Sequence, residues 1–376
     1  MKKTILTLAA GVSLALFSTV SHADTTPITQ EVVVQNYAGL VYTSYNAAYQ
    51  DGLKLQQAID GFLANPNDDT LNGAKQAWLT SRNSYGQTEA FRFYEGPIDF
   101  ADADGNEGPE GRLNAWPLDE AYIDYVQGNP NAGLVNNKGV KITKDSLSGE
   151  NQANDEAEVS TGYHAIEFLL WGQDLNIDGP GNRPVSDYAK TANNERRRAY
   201  LKVVTELVVD DLKFLVDQWA PNQDNYAKTF VQDKDALSKI MTALATLSGF
   251  ELASERMATA LDSGDQEDEH SCFSDNTHND FIYNAQGIMN VFFSAGLYEY
   301  LETKDDDLAE ELEEQILETK KLIAALPHPI DREILSTPKG SEARQKMEMA
   351  VSSLQKEADL FKKAGDVLGI KVSINE

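Results

Sequence analysis

The sequence predicts an all-α protein made of two helical-bundle domains with long polar loops. Apolar residues recur at three- and four-residue spacing over long stretches, and no segment shows the strict alternation of a half-buried strand. Of the 376 residues, 41% are hydrophobic, which is enough for sizeable cores. Cys272 is the single cysteine, so packed helices rather than internal disulfides must stabilise the chain.

The first 23 residues are typical of a secretory signal peptide. Lys2 and Lys3 precede an apolar run, and small residues stand three and one positions before a predicted cleavage between Ala23 and Asp24. The run is shorter than the roughly 20 apolar residues that span a bilayer, and no later stretch is long enough. We therefore expect export across the inner membrane and no transmembrane segment.

Helices follow in order along the rest of the chain. The first amphipathic pattern begins near Val34, continues to Leu63 and ends at the turn-forming residues 65–69. A helix at 195–219 ends before Pro221, which cannot continue a helix. The remaining helices are predicted at 70–91, 160–171, 235–261, 280–300, 306–326 and 341–368.

Two polar regions interrupt the helices, at 96–149 and 263–279. Irregular segments of this length are uncommon in a compact domain unless they build a site. Tyr-His-Ala at 163–165 and Tyr-Asn-Ala at 283–285 each follow a helix and a loop, which indicates an internal duplication. The expected domains are an N-terminal bundle at 24–185 and a C-terminal bundle at 186–376.

The charge of the chain limits its partners. Lys and Arg number 32 against 60 Asp and Glu, which gives a formal net charge of −28. Nucleic acid is excluded as a partner because its phosphates would be repelled, and anionic lipid surfaces are disfavoured for the same reason. Metal cations and basic peptides are the partners that such a field attracts.

His164 and Glu167 are the strongest candidates for a metal site. Residues three apart on a helix share a face, and this helix is apolar on nearly every side, which predicts burial. A buried Glu beside a buried His is costly without partners, and a cation would satisfy both. The alternative is a hydrogen-bonded His–Glu pair that only fixes packing.

Further acidic residues are candidate ligands. Glu89 ends the second predicted helix, and Asp99 follows in the polar loop. The segment 262–280 holds a second candidate cluster, for which the alternative is a solvated loop; its members are Asp265, Glu267, His270 and His278. The sequence contains no HExxH helix of zinc peptidases, no G-x-S-x-G elbow of α/β-hydrolases and no Walker loop of nucleotide-binding proteins.

Three segments, taken in order, resemble the imelysin-like family, which is classed as peptidase M75. They are the GxHxxE motif at 162–167, the stretches 89–93 and 96–99 before it, and 264–275, which is similar to the iron-regulated protein A branch. The resemblance implies two related helical bundles and a role linked to iron supply in the periplasm or cell envelope of a Gram-negative bacterium. It also implies that His164 and Glu167 are the motif residues and that Glu89 faces them.

The leading hypothesis is a metal-binding protein of iron acquisition that holds a cation or an iron-loaded ligand near His164 and Glu167. Oxygen ligands with one imidazole favour iron and tolerate zinc or copper. An outer-membrane or periplasmic iron-uptake protein is the expected partner. Asn284 and Gly287 replace the motif residues in the second half, so a site there must use the loop residues.

Two alternatives stay open. The first is a zinc-dependent metallopeptidase in which Glu89 or Asp99 activates water. A hydrolytic zinc site needs about three protein ligands, an open position and a general base. One His and one Glu fall short of that set, which favours binding over hydrolysis. The second alternative is a receptor-docking module that uses the polar loops and no metal.

Overall fold

A computed structural model describes residues 28–103, 105–176 and 178–374. The predicted signal peptide and its cleavage point at Ala23 and Asp24 lie outside these ranges. Within them the predicted all-α class is confirmed, because every regular segment is helical and β-structure is limited to isolated bridges. Among the described helices, none combines the length and the apolar character needed to cross a membrane.

The first described helices, α1 (Gln30–Ala64) and α2 (Asp68–Gly86), form a helical hairpin. Asn67 caps α2 in a reciprocal capping box with Thr70, which explains why the second helix starts directly after the turn. A 3₁₀ turn, Gln87–Phe91, extends α2. This extension carries Glu89 into the interior of the protein.

The polar region at 96–149 forms short helices rather than one long one. A guanidinium anchors it to the rest of the molecule, because Arg196 donates to the backbone carbonyls of Leu134, Val135 and Val140. The helix that follows this polar region along the chain, α7 (Gly162–Trp171), is buried along its whole length. The helices of this part are α3 (Glu110–Leu113), α4 (Glu120–Ile123), α5 (Gly133–Asn136), α6 (Lys144–Glu150), α7 (Gly162–Trp171) and α8 (Ser186–Ala189).

The predicted helix at 235–261 is continuous, but its middle is wound as a π-helix, Leu247–Ala258. The looser winding changes which residues share a face, and this affects the site described below. The helices around it are α9 (Asn194–Trp219), α10 (Tyr226–Phe230), α11 (Ala236–Thr246) and α12 (Thr259–Ser263).

The predicted helix at 280–300 is interrupted. It leaves the α-helical path at a π-turn, Asn290–Ser294, and Gly296 then adopts a left-handed conformation with φ of 81°. Only glycine occupies that region without strain, so the chain turns there. The helices of this last part are α13 (Thr277–Met289), α14 (Leu297–Glu302), α15 (Asp306–Ala324) and α16 (Glu342–Leu368).

Two groups of buried apolar side chains hold these helices together. The larger contains residues from α1 through α16 and therefore joins both halves of the chain. The smaller lies wholly in the second half, between Leu252 and Leu354. The internal duplication and the boundary between residues 185 and 186 stay predictions.

Candidate metal centre

Helix α7 places His164 and Glu167 inside the protein. Gly162 begins the helix with φ of 87°, and a Cβ added there would lie 2.7 Å from the carbonyl oxygen of Leu113. Glycine is therefore required for this close approach. The helix is packed on all sides, so the two polar side chains can reach only each other and the neighbouring segments.

Glu167 holds the His164 ring from one side. Its Oε2 lies 2.9 Å from Nδ1 of His164. Its other oxygen, Oε1, accepts from the backbone N–H of Ser274 at 2.9 Å and from the Ser274 hydroxyl at 2.6 Å. Both oxygens of Glu167 thus have protein partners, and one of these partners comes from the second half of the chain.

His270 approaches the other ring nitrogen of His164, with the two ring planes at 68° to each other. The Nε2 atoms of the two rings are 3.3 Å apart. Nδ1 of His270 lies 3.2 Å from Oδ2 of Asp280, which also accepts from the Ser271 hydroxyl at 2.5 Å. Each imidazole therefore has a carboxylate at Nδ1 and the other imidazole at Nε2.

This arrangement can direct a lone pair of each Nε2 atom into the space between the two imidazole rings. A carboxylate beside each Nδ1 favours a proton there, which leaves Nε2 as the acceptor in both rings. Burial, reinforced by the charges of Arg82 and Arg256, holds the pKa of His164 and of His270 well below the usual value. Neither ring then carries a second proton at neutral pH. With both protons on Nδ1 the two Nε2 lone pairs face each other, as in two ligands of one cation; a proton on one Nε2 would instead give a hydrogen bond between the rings.

The donor set fits a metal ion. Two nitrogen ligands of one tetrahedral ion, with bonds of about 2.1 Å, are about 3.4 Å apart, close to the distance between the two Nε2 atoms. A histidine that binds a metal usually donates its other N–H to a carboxylate, as Glu167 and Asp280 are placed to accept here. Burial raises the pKa of Glu167 well above its usual value, and a bound cation would oppose that shift.

Glu89 belongs to an ion-pair network next to the histidines. Its Oε2 lies 2.7 Å from Nη1 of Arg92 and 2.7 Å from Nη2 of Arg256. Burial alone would raise the pKa of Glu89, but these two guanidinium groups lower it to about 2. Glu89 is thus a permanent anion near His270 and has no direct hydrogen bond to either imidazole among the described contacts.

Around the two histidines, the carboxylates outnumber the guanidinium groups. Three guanidinium groups face five carboxylates, so two negative charges are left when all are ionised. A divalent cation at the imidazoles would cancel them. The guanidinium groups belong to Arg82, Arg92 and Arg256, and the carboxylates to Glu89, Glu110, Glu167, Glu251 and Asp280.

The π-helix supplies part of this network. Glu251 and Arg256 are five residues apart and form an ion pair at 2.8 Å, which π-winding allows and an α-helix does not favour. Arg256 also donates to the Asn284 side chain at 2.6 Å. Asn284, which stands where the predicted duplication would place a second His164, therefore supports the first site.

A pocket of about 320 Å³ leads from the surface to His270. Trp116 lines it and packs against both imidazoles, with ring centroids 4.9 Å from His164 and 6.3 Å from His270. Nε1 of Trp116 and Nε of Arg92 are buried, and neither N–H donates a hydrogen bond to the described residues. The residues that line the pocket therefore include two buried N–H groups without a hydrogen-bond partner.

The structure separates the other predicted ligands from this centre. Asp99 accepts from the backbone N–H of Gly96 at 2.8 Å and from that of Phe93, so it shapes its own loop. Asp265 and Glu267 are exposed. His278 stacks on His328 at 4.3 Å and bonds the carbonyl of Ile323.

From the sequence, His164 and His270 were assigned to two different candidate clusters. Asp280, Ser274 and Arg256 were not predicted to belong to the same site. No spacing rule links residues more than 100 positions apart. The one local signal is the unusual density of ionisable residues at 262–280, which includes both His270 and Asp280.

Comparison with known proteins agrees with this architecture. The sequence model of the imelysin family, peptidase M75, matches residues 41–360. Iron-regulated protein A of Synechococcus elongatus is 24% identical over 373 residues, covering 94% of this chain and 91% of that protein.

Two solved structures share the fold. One is described as an iron-regulated protein A precursor from Parabacteroides distasonis, with a TM-score of 0.67, 18% identity and coverage of 90% of this chain and 96% of that one. The other is an imelysin-like protein from Psychrobacter arcticum, with a TM-score of 0.67, 14% identity and coverage of 93% and 100%.

Proposed function

The chain belongs to the imelysin family, and we propose that it is an exported metal-binding protein of iron acquisition or homeostasis in which His164 and His270 ligate one ion. The observation that carries the proposal is the 3.3 Å separation of their Nε2 atoms, each on a ring whose Nδ1 lies against a carboxylate. Glu167 and Asp280 then act as the outer carboxylates that orient the two ligands.

Iron is the favoured cargo, and zinc or copper is compatible with the same donors. Imidazole nitrogens suit iron, zinc and copper, so the protein ligands alone do not select among them. The relative from Synechococcus elongatus is named for regulation by iron, which supports a link to iron supply for this chain. The acidic surface, with a net charge of −28 for the full sequence, would concentrate cations near the pocket.

The pocket beside His270 suits a ligand that arrives with the metal. Two protein nitrogens leave coordination positions for water or for an oxygen-rich chelator. Such a chelator would meet the side chains of Trp116 and Arg92 that line the pocket, and a guanidinium group suits carboxylate or hydroxyl oxygens. An iron-loaded complex therefore fits the pocket as well as a bare ion does.

Binding without turnover is better supported than hydrolysis. A metallopeptidase needs a carboxylate that can take a proton from water, and a pKa of about 2 makes Glu89 a poor base. Both oxygens of Glu167 already have protein partners. Asp99, the other base considered from the sequence, is engaged by backbone N–H groups of its own loop.

Export to the periplasm or cell envelope of a Gram-negative bacterium follows from the predicted signal peptide. The relative from Parabacteroides distasonis is described as a precursor, which is consistent with processing. An outer-membrane or periplasmic iron-uptake protein is the partner that we expect for an iron-binding protein at this location.

The test is the metal content of the purified protein after reconstitution with iron, zinc and copper in turn. We expect about one equivalent in the wild type and in the control His328→Ala, and a loss of that equivalent in His164→Ala/His270→Ala. Circular dichroism would establish that all three proteins are folded. Equal and negligible metal in all three would overturn the proposal and leave the docking module, and chelator-sensitive peptide cleavage by the loaded protein would favour the metallopeptidase.

A further inference from the structure

A second group of carboxylates lies on the far side of the loop that carries His270. Oxygen atoms of Asp174, Asp275 and Asp331 all lie within 4.8 Å of one another. They come from three separate segments: the loop after α7, the loop before α13, and a π-turn, Asp331–Leu335. Residues so distant along the chain meet here only because the fold brings them together.

A buried, unsatisfied carboxylate adjoins the three aspartates. Glu269 is only 2% exposed, and its Oε1 accepts no hydrogen bond among the described residues. Oδ1 of Asp331 is also buried without a partner. An isolated buried carboxylate oxygen is costly, so two of them at one place indicate a missing partner.

Charge repulsion within the group is under-compensated. Arg332 is the guanidinium that pairs with it, through Nη2 at 2.9 Å from Oδ2 of Asp275. One positive charge thus faces four carboxylates. Burial, together with the neighbouring aspartates, raises the pKa of Asp174 to about 6.

We propose that Asp174, Asp275 and Asp331 form a binding site for a hard divalent cation, with Ca²⁺ as the best match and Glu269 as a buried anion beside it. The donors are all carboxylate oxygens, which hard cations prefer and which soft transition metals do not require. Two ligands bound to one ion at about 2.4 Å are at most about 4.8 Å apart, so each pair of these aspartates lies within the span that two ligands of one Ca²⁺ can have.

The site is accessible, and it is separate from the histidine pair. A surface pocket of about 610 Å³ is lined by Asp174, Asp331 and Arg332 and gives an ion a route to the carboxylates. Asp275 directly follows Ser274, and Glu269 directly precedes His270. A cation bound by Asp275 would therefore fix one end of the segment that meets α7 and would lower the repulsion on Glu269 at the other end, which makes this a structural site for the loop.

Calorimetric titration of CaCl₂ into protein stripped with EDTA tests the proposal. We expect about one Ca²⁺ per chain in the wild type and in the control Asp178→Asn, an exposed aspartate of the same loop as Asp174. Asp174→Asn/Asp331→Asn should lose the isotherm. The single variant Asp331→Asn, which is the less disruptive change, should bind Ca²⁺ at least tenfold more weakly because one charged ligand is removed.

Thermal unfolding gives a second readout. In EDTA the double variant should melt above the wild type, because mutual repulsion is relieved, and Ca²⁺ should raise the melting temperature of the wild type but not that of the variant. His164→Ala/His270→Ala should keep the Ca²⁺ isotherm, which separates this site from the proposed metal centre. The proposal is overturned if the wild type binds no Ca²⁺, if Asp331→Asn binds it as tightly as the wild type, or if the histidine variant loses it.

Discussion

Glu357 is a buried carboxyl group whose ionisation should make the stability of the folded protein depend on pH. It lies on α16, is 1% exposed, and has two hydroxyl groups as side-chain partners, that of Thr319 and that of Ser248, which lies 3.2 Å from Oε1. Burial raises the pKa of Glu357 from 4.5 to about 7. The folded protein therefore holds a proton on this group that the unfolded chain releases above pH 4.5.

The difference between the folded-state and unfolded-state pKa of Glu357 sets the sign and size of its effect on the free energy of unfolding. Because the folded-state pKa is the higher one, the stability associated with the protonated group is fully present below about pH 4.5 and is lost as the pH rises through 7. A difference of about 2.5 pH units corresponds to about 3 kcal/mol in the free energy of unfolding. Glu357→Gln, which resembles the protonated form, should not suffer this loss.

The assay is urea unfolding followed by circular dichroism in EDTA between pH 4.5 and 8. The difference in free energy of unfolding between Glu357→Gln and wild type should grow across this range and level off above pH 7. Glu348→Gln is the matched control, since Glu348 is an exposed residue of the same helix. Parallel pH profiles for Glu357→Gln and wild type would refute the reasoning.

Three further predictions concern the site and the core. Asp280→Asn removes the carboxylate that orients His270 and should weaken metal affinity about 10- to 100-fold, as measured by competition with a chromophoric chelator; unchanged affinity would contradict the role given to Asp280. Glu89→Gln removes the more buried of the two carboxylates that Arg92 and Arg256 share, the other being Glu251, and should lower the free energy of unfolding by about 3–5 kcal/mol, measured by urea unfolding. Phe62→Ala opens a cavity in the larger core and should cost about 3–5 kcal/mol in the same assay, and a cost below 1 kcal/mol would argue against its full burial.

The helices were predictable because their signals are local. Apolar spacing located α1, α9 and α16 within a few residues of their ends, and turn-forming residues at 65–69 marked the first break correctly. The π-winding of Leu247–Ala258 was not predictable from that spacing, because the same apolar residues fit an α-helix. The break before α14 depends on the left-handed conformation of Gly296, and a single glycine inside a helical pattern does not by itself indicate a turn.

The candidate site was predictable only in part. GxHxxE spacing placed His164 and Glu167 on one buried helix face, and the structure shows that contact at 2.9 Å. The sequence left His270 in a separate polar cluster, because nothing local tells which loop closes over α7. Asp99 was chosen for its place near Glu89, yet backbone N–H groups of its own loop engage it, as short acidic loops often arrange.

The most direct test of the metal centre is anomalous scattering from crystals of the protein loaded with iron or zinc. The account predicts one strong peak bonded to Nε2 of both His164 and His270, with Glu167 and Asp280 at their Nδ1 atoms and not on the metal. A peak bonded to Glu167 and not to His270, or the absence of any peak at the two rings in metal-loaded crystals, would contradict it.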